Sequence, residues 1–492
     1  MESLLPQKSL PSTREELRRR FVPPDGGYGW FIVFGAFFAQ FWITGLIRSF
    51  GVLLLEIFVL FEGSSITLGA WIPAILATFT LTMSPITGAL CERFSERVVM
   101  FIGSVLCCIG FILSCFVTRI EHLLVTVGVI SGLGAGLSLL PGVLITSRYF
   151  KTKRALANGI CVSGTACGGL IMPRVIQLLV AEFGLRGTFL LLGGGILQVC
   201  ISAALLRPTE VHQRIVEIDE KRKKLNGEKK VTTNGEMKEV AVEMNDTKKE
   251  SGEKNTGLVE FDLGTGDKLA ETSAELTETE GKGSKKKFCL QIIDWSLLKS
   301  PSFLLCSTTV GLMAMCNPHF LYYMPSYVTE KGIVTKSEAA TLVSIGAAID
   351  MFGRIGSGWL ADRNFIPLGK MYALCFLVAG TAPLILPFAT NMIVLGILCS
   401  LFGLAAGFWF LLVPTLLTEY HGVEKISSSY GLARLFQGVM TFCSPLLIGF
   451  ILNATDSYNA AFFMMSGCLF LASFLVFTVE PWILRHHRRD QS

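Results

Sequence analysis

Twelve apolar runs, six before a polar middle segment and six after it, constrain this chain more than any single residue does. They cover roughly 30–55, 69–90, 98–118, 122–147, 155–181, 187–206, 301–326, 338–361, 368–388, 391–417, 428–452 and 459–480. Each is close to the ~20 residues that an α-helix needs to cross a bilayer. The two sets also match in sequence. Gly88-Ala-Leu-Cys-Glu92-Arg93 returns as Gly358-Trp-Leu-Ala-Asp362-Arg363, an offset of 270, and Gly132 and Gly136 return as Gly403 and Gly407, an offset of 271. Gly159 and Pro173 return as Gly431 and Pro445, an offset of 272. These offsets predict an all-α membrane protein with twelve transmembrane helices in two six-helix pseudo-repeats. Many transporters build two halves about a midplane site from such parallel repeats.

Of 492 residues, 51% are hydrophobic and 16% charged, and much of that charge falls in 207–299. The predicted organisation is a cytosolic N-terminal tail (1–28), a six-helix bundle (29–206), a cytosolic linker (207–299), a second six-helix bundle (300–482) and a basic cytosolic tail (483–492). The linker is rich in Lys, Glu, Gly and Thr and poor in aromatics, a composition that predicts disorder, with a short helix through Val216–Leu225. It reads as a solvated tether or as a docking loop. Residues 1–24 lack the apolar core of a cleavable signal, so the first spanning helix is expected to direct insertion.

Short loops keep Lys and Arg on the cytosolic side. Arg93, Arg97, Arg148, Lys151, Lys153, Arg154, Arg363 and Lys370 share one side with the two basic tails, which places both termini in the cytosol. The net charge of +5 then reports topology and does not call for nucleic acid as a partner. The fourteen cysteines fall mostly inside predicted helices, which implies no disulfide framework and no zinc site. Asn453-Ala-Thr455 is a glycosylation sequon expected in an outer loop, and Asn245-Asp-Thr247 is one on the cytosolic side.

The paired loops carrying Gly88, Glu92 and Arg93, and Gly358, Asp362 and Arg363, resemble the signature of the major facilitator superfamily. Physically, each carboxylate can pair with a neighbouring helix terminus or a basic residue, and each glycine permits close packing. Together they are expected to gate the cytoplasmic side. Asp25-Gly26-Gly27-Tyr28-Gly29-Trp30 resembles the hallmark of the monocarboxylate transporter family, and the run with Tyr149, Phe150, Lys151, Arg154 and Gly159 is similar to its second signature. Read from the residues, the first is a capped helix entrance with Trp30 as interfacial anchor. The second is positive charge near headgroups. Neither is assigned a substrate contact.

Charges inside the apolar runs carry the candidate chemistry, since each costs several kcal/mol at the bilayer centre. They are Arg48, Arg174, Asp350, Arg354 and Arg434. Asp350 and Arg354 share a helix face. At ~1.5 Å per residue from Asp362 they lie about 18 Å and 12 Å deep. A guanidinium grips a carboxylate through two parallel hydrogen bonds, so Arg354 is the expected substrate anchor, against the reading of a structural ion pair. The resemblance implies anion binding for Arg354 and proton coupling for Asp350. Arg48 lies about 27 Å along its helix from Trp30 and is expected to snorkel outward or attract the anion. The resemblance puts a lysine there in proton-coupled lactate carriers; an arginine cannot release a proton, which weakens the case for coupling.

Tyr323, Phe408 and Phe410 are candidate pore-lining residues, and Tyr322 and Trp409 share that description. His319 is a proton-relay candidate or a hydrogen-bonded bundle histidine. No P-loop, nucleophile–base pair or metal-ligand spacing appears, so no enzyme, cofactor or metal is expected. The expectation is a plasma-membrane carrier of a small organic anion, with or without a coupled H+, working by alternating access. The alternatives are a proton-independent carrier of creatine, carnitine, an aromatic amino acid or a ketone body, and a non-transporting sensor or scaffold. The resemblance further implies an immunoglobulin-like ancillary glycoprotein as a candidate partner.

Overall fold

Backbone crossing hydrocarbon must satisfy its polar groups internally, and the apolar runs do so as helices. The computed structural model describes residues 23–60, 66–218, 294–455 and 457–489. The helices are α1 (Gly29–Leu60), α2 (Ile66–Thr82 then Ser84–Arg93), α3 (Glu96–Ser114) and α4 (Ile120–Leu123, a π-turn Leu124–Ser131, then Gly132–Tyr149). A long trace from Arg154 ends at Leu205, and Gly184 breaks it with φ 65° and ψ 177°, a conformation that favours glycine. That break separates α5 (154–183) from α6 (185–205). The second half comprises α7 (Pro301–Glu330), α8 (Lys336–Asp362), α9 (Leu368–Ile385), α10 (Met392–His421), α11 (Ile426–Thr455) and α12 (Tyr458–Arg489). Eleven stretches are long and apolar enough to cross a membrane. The Gly184 turn divides the longest, and the described residues thus hold the twelve expected spans.

Local signals set the helix ends. Thr335 and Glu338 form a reciprocal capping box at the start of α8, and the Asn391 side chain accepts from the Val394 N–H at the start of α10. Gly422, at φ 78°, ends α10.

The repeat offsets hold in space. A Cβ on Gly136 of α4 would stand 2.9 Å from the Thr80 carbonyl oxygen of α2, and one on Gly407 of α10 would stand 2.5 Å from the Asp350 carbonyl oxygen of α8. Across the two halves, Gly159 of α5 abuts the Arg354 carbonyl of α8 and Gly431 of α11 abuts the Ser84 carbonyl of α2. The halves therefore meet along α2–α11 and α5–α8, and Thr80 and Ser84 are the counterparts of Asp350 and Arg354.

Two expectations change at the edges. Met1–Val211 and Ile293–Ser492 form one unit, so Arg207–Val211 belong to it and the linker begins later than residue 207. Asn453 lies in the last turn of α11, where Thr455 Oγ1 donates to the Ile451 carbonyl, and not in a loop. The second unit is His212–Ile292, of which the described residues 212–218 are helical. The rest of the linker, with its expected disorder and the Asn245 sequon, and residues 1–22 and 490–492 of the tails lie outside the described residues.

Candidate functional site

One helical turn separates Asp350 from Arg354, and that spacing alone brings their side chains together. Arg354 Nε donates to Asp350 Oδ1 at 2.7 Å and Nη2 to Oδ2 at 2.9 Å, while Nη1 reaches the Val162 carbonyl of α5 at 2.9 Å. Arg48 Nη1 of α1 donates to Asp350 Oδ2 at 3.1 Å. The cluster thus ties helices of both halves together. The close approach of α10 at Gly407 carries Phe410, one turn on, against both cations, with its ring centroid 4.2 Å from the Arg354 guanidinium carbon and 5.7 Å from that of Arg48.

Exposure divides the two arginines. The Arg354 side chain is 0% exposed and Asp350 5%, whereas Arg48 keeps 25%. Arg354, the expected substrate anchor, is sealed and bonded to protein through three nitrogens. Arg48 does not snorkel outward, because the Asp350 carboxylate offers its guanidinium a charged partner within the bundle. Two guanidiniums and one carboxylate leave the cluster at +1. Removing the carboxylate would strand two buried cations, the costly way to break such a pair.

The other candidates scatter. His319 is buried, shares a 2.7 Å hydrogen bond with Ser444 Oγ and stacks on Tyr323, 5.9 Å between centroids. Among the described contacts neither joins the Asp350 cluster. Phe408 packs half-buried against the core. Arg174 is exposed and donates to Gln177. Arg434 is half-buried and donates to Gln437 at 3.0 Å.

At the end of the bundle that carries the paired loops, the two halves lock in mirrored fashion. Asp362 Oδ1 and Oδ2 accept from the backbone N–H groups of Ala155 (2.9 Å) and Leu156 (2.8 Å), the first turn of α5. Glu92 accepts from Ser427 Oγ in the first turn of α11 and from Arg148 Nη2 at 2.6 Å. A Cβ on Gly358 or Gly88 would stand 2.6 Å from the carbonyl oxygen of Ala155 or Ser427, so glycine is required for both approaches. Arg93 and Arg363 lie over Phe94 and Trp359 on their own segments.

The two further motifs meet each other. Asp25 does not cap α1; its Oδ1 accepts from the N–H groups of Lys151 (2.5 Å) and Thr152 (2.8 Å). Burial pushes this carboxyl up, but those backbone donors outweigh it and hold it below the ordinary aspartate value. Gly29 passes against the Phe150 ring, on which Trp30 also packs at 5.0 Å. Tyr28 and Tyr149 donate to the carbonyls of Leu205 and Arg207, and Arg207 stacks on the Tyr28 ring at 3.8 Å. Arg154 Nε donates to the carbonyls of Ser147 and Phe150 and holds the turn instead of facing headgroups. Gly26 and Gly27 complete the tight turn, Gly27 at φ 54°.

Sequence reasoning missed Arg148 as a structural hub. It bridges Glu92 and the buried Glu96, and the available signal was an acid pair four residues apart around a turn.

Twelve helices in matched halves, an ion cluster at their seam and matched acidic contacts at one end define a membrane transporter of the major facilitator class. The Major Facilitator Superfamily profile matches residues 29–445. Human monocarboxylate transporter 12 is 31% identical over 464 residues, covering 93% of this chain and 81% of that protein. The Xenopus laevis monocarboxylate transporter 12 is 29% identical over 470 residues, covering 94% and 91%, and human monocarboxylate transporter 7 is 29% identical over 488, covering 95% and 90%. The chain belongs to the monocarboxylate transporter family, as a divergent member. Its fold is similar to that of the proton:xylose symporter XylE, with a TM-score of 0.61 at 14% identity, over 92% of this chain and 95% of that one.

Proposed function

We propose that this protein carries a small organic carboxylate across the plasma membrane by alternating access, with both termini cytosolic, and that Arg48 makes the first contact with the anion. The observation that carries the reading is the +1 ion cluster at the seam, with Arg48 still partly open to solute and Phe410 beside it. A carboxylate that pairs with Arg48 brings the cluster to neutrality. Enclosing a neutral cluster costs far less than enclosing a net cation at this depth, so loading favours closure of the outer side. Asp350 stays bonded to Arg354 throughout, which makes Arg354 a positioning residue. The contacts of Asp362 and Glu92 at the cytosolic end fit an outward-open state, and Gly88 and Gly358 set how tightly that end closes.

Protonating Asp350 would leave two guanidiniums facing each other without a counter-ion, so we read the transport as proton-independent. Radiolabelled uptake into oocytes of lactate, pyruvate, 3-hydroxybutyrate, creatine, carnitine and tryptophan, at outside pH 6.0 and 7.5, tests this. A monocarboxylate taken up equally at both values, and lost in Arg48→Ala at unchanged surface level, is the expected result. Uptake confined to creatine or carnitine would replace the anion with a zwitterion. No uptake by a surface-resident carrier would favour a sensor or scaffold.

A further inference from the structure

The pseudo-twofold partner of the ion cluster is a second polar site. It is a cavity of about 10 Å³, closed down to room for one water with the cytosolic end shut, between α1, α2, α4 and α11, lined by Gln40, Thr80, Ser84, Tyr430 and Arg434. Thr80 and Ser84 stand where Asp350 and Arg354 stand in the other half, and Gly136 and Gly431 press on their backbones as Gly407 and Gly159 press on those two. The charge has moved to the neighbouring helix. Arg434, at offset 272 from Val162, supplies the cation from α11, eight residues from the first residue of α11, just as Arg354 lies eight from the last residue of α8. At ~1.5 Å per residue both sit about 12 Å from the same end of the bundle.

Chemically the two sites differ in one respect. Arg354 is neutralised by Asp350, whereas no described carboxylate lies within 4.0 Å of Arg434, whose described partners are the Gln437 amide and the Tyr430 ring, 5.9 Å from its guanidinium carbon. The remaining polar wall is neutral. Gln40 Oε1 accepts from Thr165 (3.1 Å) and Thr44 (3.0 Å), which leaves its amide N–H groups as donors, and Ser84 adds a hydroxyl, whereas Thr80 Oγ1 already donates to the Leu76 carbonyl at 2.7 Å. A half-buried guanidinium among neutral donors, at a depth where an unpaired cation is costly, is an anion receptor.

We infer that Arg434, with Gln40 and Ser84, forms a second carboxylate seat on the cytosolic side of Arg48, which opens with the cytosolic end and which the transported anion occupies after it leaves Arg48. The inference rests on the carrier reading above. It predicts that the Arg434 charge governs apparent affinity while the ion cluster of α8 stays intact.

The test is the concentration dependence of radiolabelled 3-hydroxybutyrate and lactate uptake in oocytes, normalised to surface-biotinylated carrier, for the parent, Arg434→Gln and Arg434→Lys. Arg434→Gln is expected to raise KM at least tenfold, and Arg434→Lys, which keeps the charge but loses the planar fork, to raise it by less. Both should unfold thermally within a few degrees of the parent. If Arg434→Gln fails to reach the surface, a several-fold KM increase in Arg434→Lys supports the seat. Parent-like KM in every variant that reaches the surface overturns it and leaves the carrier reading standing. No uptake of either label by the parent overturns the carrier reading and the second seat together.

Discussion

Arg48 of the first half donates to Asp350 of the second, 3.1 Å away, so the carboxylate of α8 is shared between a sealed arginine on its own helix and a half-open one across the seam. Under the proposed function, that sharing makes loading and closure interdependent, because the outer arginine exchanges partners while the inner one does not.

Replacing Arg48 by Lys keeps the charge and introduces a group that can lose its proton when buried. Uptake by the parent should be the same at outside pH 6.0 and 7.5. Arg48→Lys should show a KM about tenfold higher, as loss of a charge-assisted hydrogen bond of about 1.5 kcal/mol implies, together with uptake that falls as pH rises. A pH-independent Arg48→Lys carrier would remove the argument that the arginine sets proton independence.

Asp350→Asn leaves Arg48 and Arg354 without their counter-ion. Breaking a buried pair from one side costs about 3–5 kcal/mol, so the purified variant should melt well below the parent and transport nothing. The double variant Asp350→Asn/Arg48→Ala should recover part of the lost thermal stability without recovering uptake. Equal melting temperatures for the single and double variants would mean that the two residues are not coupled.

Asp362 accepts two N–H groups at the start of α5 in the opposite half. Its replacement by Ala removes a cap of about 0.5–2 kcal/mol, which shifts a two-state equilibrium about 2- to 30-fold. A cysteine placed at Leu156 should then be labelled by a thiol reagent from the cytosolic side that much faster in Asp362→Ala. Gly358→Val should have the same effect, since a Cβ there meets the Ala155 carbonyl at 2.6 Å. Unchanged labelling in both would show that these contacts do not hold that end shut.

Asp25 is held below the usual carboxylate value despite its partial burial. A carboxyl depressed in the folded state contributes stability above its unfolded value, about 3.9, and loses it as pH falls through the folded one. Thermal unfolding of the parent should therefore be flat in this contribution from pH 7 to about 4 and fall below it. Asp25→Asn should melt lower at neutral pH and approach the parent in acid. A constant difference across that whole range would mean that the ionised form of Asp25 is not what joins α1 to the turn before α5.

The glycine–acid–arginine repeats were legible because each demands a local property, a residue without Cβ next to a charge at a helix end, and both copies meet that demand at one offset. The second half's Asp350 and Arg354 were legible for the same reason, being one turn apart on a helix. Their tertiary partners were not. Nothing local to position 354 says that Val162 will seal it, and nothing near position 48 says that its side chain turns inward toward α8. Asp25 is the plainest case. Its neighbours read as the entrance of α1, but its acceptor lone pairs are used by backbone more than 120 residues away.

By itself the sequence determined the twelve helices, their division into two related sets and the presence of charge at bilayer depth, because hydrophobic length, periodicity and helix spacing are properties of neighbouring residues. Only the tertiary structure decided which charges meet. Pairing between α1 and α8 depends on how closely glycine faces let α8 approach α5 and α10, and that distance belongs to the packed bundle and to no single segment of the chain.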